Sequence, residues 1–388
     1  MSKTQPPLHD STAACQIPRP SDLQEVAESM DVGLQLITGL NERDRKLVVY
    51  WTLATHALPN LNTFPLLALR GKFGTGKSQT LHIIKSFAYQ PRAFSLRSRT
   101  EAAIRDELAD SYEGTAIVEE ADQAWKDVTM AFERMLSDRY QRASAEAAYK
   151  VNAGEKQWVT EIKKYFGATV LHRRLSFNDP ALDGRAVLVR FRADSSRTYQ
   201  EFCEDDPWIV QGSRLMRGLA FDLPSVNQPP GIAARVFNTY APLLGVAKLC
   251  NDDDFVCQIL QRLQQETLEL KEAQAEEPDG LVLRAIVEAI FEGRSSEFRY
   301  VKFRDIAESI FRNHKVTLQP RQIGPIAREL GFDTKTAHGV TVVVPTLATL
   351  LKACDVCNYT DEGIEQLRRE MLEGDSKSAP LRRAKLFK

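Results

Sequence analysis

Residues 71–78 (GKFGTGKS) fit the pattern GxxxxGK(S/T), and this match constrains the fold more than any other feature of the chain. The apolar run at 63–70 predicts a buried strand and residues 79–89 predict a helix, so the match has the strand–loop–helix setting that it requires. Glycines let successive backbone N–H groups surround a phosphate, and the start of a helix adds the positive end of its dipole. The sequence therefore predicts a phosphate-binding loop.

We expect this loop to bind ATP together with Mg²⁺. Lys77 is predicted to contact the β- and γ-phosphates, and the hydroxyl of Ser78 is predicted to coordinate the metal. The other loop residues expected to contact the nucleotide are Gly71, Lys72, Phe73, Gly74, Thr75 and Gly76. A chance match in an unrelated loop is the alternative interpretation.

Two acidic residues, Glu119 and Glu120, follow an apolar run at 115–118 that predicts a second strand. In such an arrangement the first acid lies near Mg²⁺ and the second polarises the attacking water. We therefore expect Glu119 to be a metal residue and Glu120 to be the catalytic carboxylate. An aspartate is usual at the first position, so the longer Glu119 departs from the pattern. The alternative interpretation is a solvated acidic turn.

Strand-like and helix-like segments alternate around these two motifs. Further strands are predicted at 93–96, 169–171 and 186–191, and further helices at 100–109 and 122–138. Alternation of this kind is typical of a parallel sheet covered by helices. The predicted fold class is therefore α/β, with a P-loop core.

The rest of the chain divides by composition and periodicity. Residues 1–20 are polar and are expected to be disordered, 21–60 have helical periodicity, and 61–195 form the predicted core. Residues 196–270 are mostly helical in pattern, and a charged link follows at 271–280. Residues 281–373 read as helices at 282–292, 302–313 and 320–330, a β run at 340–344 and further helices, which suggests a winged-helix domain before a basic tail at 374–388.

The overall composition excludes several classes of protein. The 388 residues carry 51 basic and 52 acidic side chains, so a uniformly basic nucleic-acid binder is excluded, whereas a locally basic channel is not. No apolar run approaches the roughly 18 residues that span a bilayer, and no signal peptide is recognisable, so we expect a cytoplasmic protein without a membrane partner. Cys354 and Cys357 have CxxC spacing but lack further ligands nearby, which favours buried thiols over a zinc site.

The stretch 165–185 (YFGATVLHRRLSFNDPALDGR) is similar to one in plasmid and phage primase-helicase ATPases that reads FGPxVLAxRxPxxDxALxSR. On this stretch the chain resembles AAA+ ATPases of the helicase type, which include superfamily 3 and minichromosome-maintenance helicases. The resemblance implies a sensor 1 residue among His172, Arg173 and Arg174. It also implies that Arg185 is an arginine finger acting on a neighbouring subunit's ATP, in a ring expected to be a hexamer. A surface charge at the start of a strand is the alternative for Arg185.

A second stretch, 229–248 (PPGIAARVFNTYAPLLGVAK), is similar to the helical lid of the same ATPases. By that match Arg235 is a sensor 2 candidate that contacts the nucleotide, although Asn238 and Tyr240 replace the acid and tryptophan usual in the family. A surface arginine on a lid helix is the alternative.

Two segments are candidates for DNA contact. Alternation at 148–166 around a turn at 152–154 predicts a β-hairpin with Lys150 and Lys156 beside the turn. The resemblance implies that such a hairpin holds single-stranded DNA in the central channel of a ring. In the predicted winged helix, Arg321 and Arg328 lie on the candidate recognition helix at 320–330. A solvated hairpin and a protein-binding winged helix are the alternatives.

Together these features predict an ATP-hydrolysing, ring-forming DNA motor, such as the replicative helicase of a mobile element, plasmid or phage. A primase or another replication protein is a possible partner. An ATP-dependent switch, initiator or loader that does not unwind DNA is the main alternative, and a metabolic kinase is a third.

Overall fold

The computed structural model describes residues 20–72, 74–121, 126–152, 158–192, 199–217, 219–291, 300–337, 340–357, 359 and 361–373. The predicted disordered segment and the basic tail therefore lie outside the described residues, apart from Pro20. The chain divides into two compact units, Met1–Gln264 and Gln265–Lys388, which we describe separately.

The first unit is built on a five-stranded sheet in which every paired strand is parallel. Its strands stand in the order β2-β3-β6-β1-β7. They are β1 (Leu66–Arg70), β2 (Pro91–Ser95), β3 (Thr115–Glu119), β6 (Ala168–Arg173) and β7 (Ala186–Arg190). The first four residues of β1 and of β3 are buried without alternation, as expected for strands covered on both faces. The predicted α/β class with a parallel sheet is confirmed.

Helices flank this sheet. They are α1 (Pro20–Ile37), α2 (Glu42–Ala54), α3 (Lys77–Phe87), α4 (Glu101–Asp110), α5 (Lys126–Arg139), the short α6 (Pro180–Asp183), α7 (Pro207–Met216), α8 (Ala234–Leu249) and α9 (Asp253–Glu276). Helix α3 packs on β2, β3 and β6, whereas α2 and α8 pack on β7. Residues 219–233, within the region predicted to be mostly helical, contain neither helix nor strand.

The predicted hairpin is present. Strands β4 (Glu146–Asn152) and β5 (Trp158–Lys164) pair antiparallel in a separate two-stranded ribbon. Its base is attached to α4 by Lys163, whose ammonium lies 2.9 Å from a carboxylate oxygen of Asp106. Residues 153–157, which include most of the predicted turn and Lys156, lie outside the described residues.

A fully buried arginine, Arg139 at the end of α5, joins the elements around the base of this ribbon. Its guanidinium donates seven hydrogen bonds, all to uncharged oxygens. The acceptors are in Leu108, Ser111, Gly114, Tyr165, Ala168 and Thr169. They belong to the end of α4, the residue before β3, the residue after β5 and the start of β6, so one side chain connects four segments.

The second unit has its own apolar core. Its elements are α10 (Pro278–Phe291), β8 (Val301–Lys302), α11 (Phe303–His314), α12 (Pro320–Glu329), β9 (Asp333–Ala337), β10 (Val340–Val344), α13 (Leu347–Val356) and α14 (Glu362–Glu373). The predicted β run is β10, which is the central strand of a three-stranded antiparallel sheet in the order β8-β10-β9. The predicted link at 271–280 is largely helical, because α9 continues to Glu276 and α10 begins at Pro278.

Candidate functional site

The glycine-rich loop lies at the carboxyl edge of the parallel sheet, where β1 ends and α3 begins. Two of its glycines have left-handed backbones, with φ of 70° at Gly74 and 88° at Gly76. Side-chain-bearing residues rarely adopt this conformation, which explains the choice of glycine. Gly76 is also the N-cap of α3, so the first N–H groups of this helix point towards the loop. Phe73 lies outside the described residues.

The ammonium group of Lys77 is held inside the loop. The Lys77 side chain is buried, and its Nζ donates hydrogen bonds to the carbonyl oxygen of Gly71 at 2.8 Å and to that of Lys72. It also lies 3.3 Å from the hydroxyl oxygen of Thr75. These contacts place a positive charge at the centre of a backbone curve, which is the electrostatic requirement for binding a phosphate.

The two acids lie at the same edge of the sheet. Glu119 is exposed at the end of β3, and Glu120 follows it in a left-handed conformation with φ of 52°. A non-glycine residue in this conformation is strained. The backbone N–H of Glu120 donates to His172 Nε2 at 2.7 Å, and the hydroxyl of Ser95 lies 3.5 Å from its carboxylate. Because Nε2 accepts this bond, His172 is in the neutral form with its proton on Nδ1.

The three candidates for sensor 1 have different surroundings. Strand β6, which ends with His172 and Arg173, lies between β1 and β3. His172 therefore reaches Glu120, as its hydrogen bond shows. Arg173 instead forms a buried ion pair with Glu133 at 2.9 Å, and Arg174 is exposed. The three candidates therefore differ in burial and in the partners that hold them.

A cleft of about 540 Å³ joins these groups. Its lining includes the loop and first turn of α3 from Gly74 to Gln79, both acids, and His172 with the two arginines that follow it. Ile37, His82 and Tyr199 complete the lining. Gly71 and Lys72 instead line a neighbouring pocket that shares Arg174 with the cleft. The structure thus brings the predicted loop residues and both predicted acids to one place.

Arg185 does not line this cleft. Its carbonyl oxygen accepts a hydrogen bond from the N–H of Leu66, the first residue of β1, whereas the loop follows the last residue of β1. A strand of five residues is roughly 16 Å long, so Arg185 lies at the opposite edge of the sheet. Its guanidinium donates to the carbonyl and hydroxyl oxygens of Ser137 on α5.

Arg235 is also away from the cleft. It lies in the first turn of α8, and its guanidinium donates to the carbonyl oxygen of Ala181 at 2.8 Å. Thr239 on the same helix donates to the carbonyl oxygen of Gly184 at 3.1 Å. The start of α8 is therefore packed on the segment that precedes Arg185, and the two predicted arginines belong to one region of the first unit.

The predicted DNA contacts are distributed over both units. Lys150 is exposed on β4, and Lys156 lies outside the described residues. Arg321 and Arg328 are both exposed on α12 of the second unit, seven residues apart and therefore on one face of the helix. Lys150, Arg321 and Arg328 are thus open to solvent, as a phosphate contact requires.

The CxxC pair is buried in the second unit. Burial raises the pKa of the Cys354 thiol to about 12, and it raises that of Cys357 as well. Among the described residues there is no group of three or more His, Cys, Asp or Glu side chains that could hold a metal ion. These properties agree with the interpretation of the pair as buried thiols.

Sequence reasoning missed three residues that line the cleft, namely Ile37, His82 and Tyr199, and also Ser95, whose hydroxyl lies near the carboxylate of Glu120. Ile37 and Tyr199 are 162 positions apart, and no local pattern links them to the loop. Ser95 could have been found, because it ends the strand beside β3 and pairs in register with Glu119.

Comparisons with known proteins identify no family. No family model matches the chain, and no curated protein sequence matches it. In the part of the chain that the structure describes, none of the helices combines the length and apolar character needed to cross a membrane.

Proposed function

We propose that this chain is an ATP-hydrolysing, ring-forming AAA+ motor that translocates on or unwinds DNA. The observation that carries the proposal is the cleft in which Lys77 and the glycine-rich loop share one edge of a parallel sheet with Glu119 and Glu120. A phosphate cradle beside a carboxylate that can orient water is the arrangement that nucleoside triphosphate hydrolysis needs.

The residues of the cleft suit ATP with Mg²⁺. Its volume is in the range of small-molecule sites, and the Ser78 hydroxyl and Glu119 carboxylate are hard oxygen donors of the kind that Mg²⁺ prefers. When bound, the ATP–Mg²⁺ complex supplies the phosphoryl group and the metal charge that stabilises its transfer. Lys77 binds the phosphates, and the N–H groups of the loop and of the first turn of α3 orient them.

Glu120 is the proposed general base. Its strained backbone is held by the hydrogen bond to His172, and the hydroxyl of Ser95 lies near its carboxylate. In this position the carboxylate accepts a proton from the attacking water. His172 thereby serves as a positioning residue, and it is our choice for sensor 1.

Arg185 and Arg235 support a ring. Both lie outside their own cleft and near one another through the segment 181–184, so a contact with ATP would have to be made to the nucleotide of a neighbouring subunit. This location fits an arginine finger at Arg185, as the family resemblance implies. The position of Arg235 does not fit the expected sensor 2 contact with the nucleotide of its own chain.

Two further features support action on DNA. The β4–β5 ribbon stands apart from the main sheet and carries the exposed Lys150. In the second unit, a helix, a short strand, two helices and a β-hairpin follow one another, which is the order expected of a winged helix, with Arg321 and Arg328 exposed on α12. We assign residues 196–270 to a helical lid on the basis of the resemblance.

Mixing two inactive variants tests the ring mechanism. Lys77→Ala subunits should not hold ATP but keep Arg185, whereas Arg185→Ala subunits should bind ATP but offer no finger and lose about 10³-fold in kcat. Mixed rings should regain ATPase activity, because an Arg185→Ala subunit can receive the finger of a Lys77→Ala neighbour. Arg134→Ala, which changes an exposed arginine of α5, is the matched control and should keep wild-type activity. Mixtures no more active than their components would refute action between subunits.

Strand displacement on a forked duplex tests the motor itself. Lys156→Ala is expected to abolish unwinding while leaving most ATP hydrolysis. ATPase activity that DNA stimulates without any strand displacement by the wild-type chain would instead favour a switch or loader. Loss of ATP hydrolysis in Glu120→Gln, with ATP binding kept, is expected under both mechanisms.

A further inference from the structure

An open groove of about 590 Å³ lies on the second unit, where α11 ends and α12 begins. It is formed by the outer side of α11, the connection at 315–319 and the first residue of α12. Helix α11 stops at Lys315, whose left-handed backbone has φ of 60° and turns the chain away from the helix axis. None of the residues predicted to bind ATP or DNA lines this groove.

The most unusual residue of the groove is Phe311, whose side chain is 56% exposed. The apolar stripe of α11 that packs into the core consists of Phe303, Ile306 and Ile310, and Phe311 lies beside it. Its ring therefore adds nothing to the core and presents an aromatic surface to solvent. An exposed aromatic ring of this kind is well suited to stacking against a flat ligand.

Positive charge surrounds this ring. Arg304 lies seven residues before Phe311, hence on the same face of the helix, and Arg312 and the helix-capping Lys315 also line the groove. The one carboxylate in the lining belongs to Glu308, which is already paired with Arg304 at 2.8 Å. No described carboxylate pairs with Arg312 or Lys315. The groove thus offers two uncompensated cations beside an aromatic face.

This combination favours a nucleic acid over an apolar peptide. Binding of single strands rests on aromatic rings that stack with bases and on basic groups that follow the phosphate backbone. A peptide groove of the helix-binding kind requires a row of apolar pockets, whereas here Phe311 is accompanied mainly by the half-buried Leu318 and Ala307. The charge is of the sign that a phosphate backbone needs.

We propose that the α11–α12 groove binds single-stranded DNA, with a base stacked on Phe311 and backbone phosphates bound by Arg312 and Lys315. The groove shares no lining residue with the other predicted DNA contacts, which are Lys150, Lys156, Arg321 and Arg328. The choice of DNA as the ligand rests on the proposed function, but binding in the groove does not depend on ATP hydrolysis.

Site-resolved photo-crosslinking of the full chain tests the proposal. An oligonucleotide of thymidines containing 5-iodouracil is irradiated with the protein in the absence of nucleotide. Tryptic cleavage after Arg304 and Arg312 releases residues 305–312, which contain Phe311 and should carry the crosslink. Phe311→Ala should remove that crosslink, and Phe311→Trp should keep it.

Affinity for the same oligonucleotide gives the second readout. Phe311→Ala should weaken binding at least about fivefold, because stacking on a single aromatic side chain contributes that much or more. Val356→Ala, which shortens a 62% exposed apolar side chain elsewhere in the second unit, is the matched control and should bind as the wild type does. Arg312→Glu and Lys315→Glu should each make DNA affinity less sensitive to salt concentration than it is in the wild type.

Three results would overturn the proposal. One is the absence of crosslinks in residues 305–312 with wild-type protein. Another is equal DNA affinity in Phe311→Ala and Val356→Ala. The third is binding of an acidic peptide that Phe311→Ala abolishes while DNA binding is unchanged, which would identify a protein-docking groove. Failure of the ATPase mechanism would leave the crosslink intact, so the two proposals fail separately.

Discussion

Replacing Arg139 with methionine is expected to lower the free energy of unfolding of the first unit by about 3 kcal/mol. Methionine fills much of the same volume but cannot donate any of the seven hydrogen bonds that the guanidinium makes. Because a guanidinium has five N–H donors, some of the seven contacts share a hydrogen, and at a net value of about 0.7 kcal/mol for each donor the sum is about 3.5 kcal/mol. Relief from burying a charge offsets part of this loss.

Lysine at the same position separates charge from geometry. An ammonium group keeps the positive charge but has three N–H donors where a guanidinium has five, so Arg139→Lys loses at least two donors and about 1.5 kcal/mol. Arg134→Met is the matched control, since Arg134 is exposed on the same helix. This surface change should alter the free energy of unfolding by no more than about 0.5 kcal/mol.

Chemical denaturation followed by tryptophan fluorescence measures these differences. All four tryptophans lie within Met1–Gln264, so their signal reports the unfolding of the first unit without a contribution from the second. The expected order of stability is wild type and Arg134→Met, then Arg139→Lys, then Arg139→Met. An Arg139→Met protein that unfolds at the same denaturant concentration as Arg134→Met would refute the argument that this guanidinium holds the four segments together.

Three further changes have expected outcomes. Gly33→Ala should destabilise the first unit by about 1–3 kcal/mol in the same assay, because the new Cβ would lie 2.4 Å from the ring of Trp208; a gain from the better helix propensity of alanine would contradict this. Gly76→Ala should lower the free energy of unfolding by about 1–2 kcal/mol, because alanine is strained at the φ of 88° found there. It should also weaken ATP binding measured by calorimetry, and an unchanged affinity would argue against the loop geometry. Burial opposes ionisation of Asp252, but hydrogen bonds, chiefly from Lys46, outweigh it and hold its pKa below the ordinary value. The stabilisation that ionised Asp252 gives the folded protein is therefore complete above about pH 5 and is lost as the pH falls through the folded-state pKa. The difference in free energy of unfolding between the wild type and Asp252→Asn should shrink accordingly in acid.

Much of the sheet could be predicted because its strands carry strong local signals. Residues 66–69 and 116–118 are apolar throughout, as buried parallel strands require, and each run ends near a motif whose residues have a chemical reason to follow a strand. The predicted run at 63–70 ends where β1 ends, but β1 begins three residues later, at Leu66. The hairpin at β4–β5 was predictable in the same way, from alternation on both sides of a turn.

Other elements gave no such signal. Strand β9 reads DTKTA and has no apolar alternation, since it is an edge strand that pairs with β10 on one side. Strand β8 has two residues, fewer than any periodicity can show. Both owe their conformation to backbone pairing with β10, which sequence patterns do not record.

The identity of the residue beside Glu120 also depended on tertiary structure. Consecutive strand residues point to opposite faces, so His172 and Arg173 are not expected to share one partner, although both line the cleft. Which of them bonds to the backbone of Glu120 depends on where β6 enters the sheet and on Glu133, a partner 40 positions from Arg173. The alternation of side chains along β6 distinguishes His172 from Arg173, but only the tertiary structure shows which of them contacts Glu120.

The path from the ribbon to the cleft is short and covalent. Strand β5 ends at Lys164, three residues separate it from β6, and the fifth residue of β6 is His172, which bonds to the backbone of Glu120. A force applied to the ribbon would therefore be transmitted along β6 towards the proposed general base. Arg139 stabilises the connection between β5 and β6 through its hydrogen bonds to Tyr165, Ala168 and Thr169. The ribbon and the backbone of Glu120 are thus joined by one continuous stretch of chain and one hydrogen bond, so a displacement of β5 would have a direct route to the cleft.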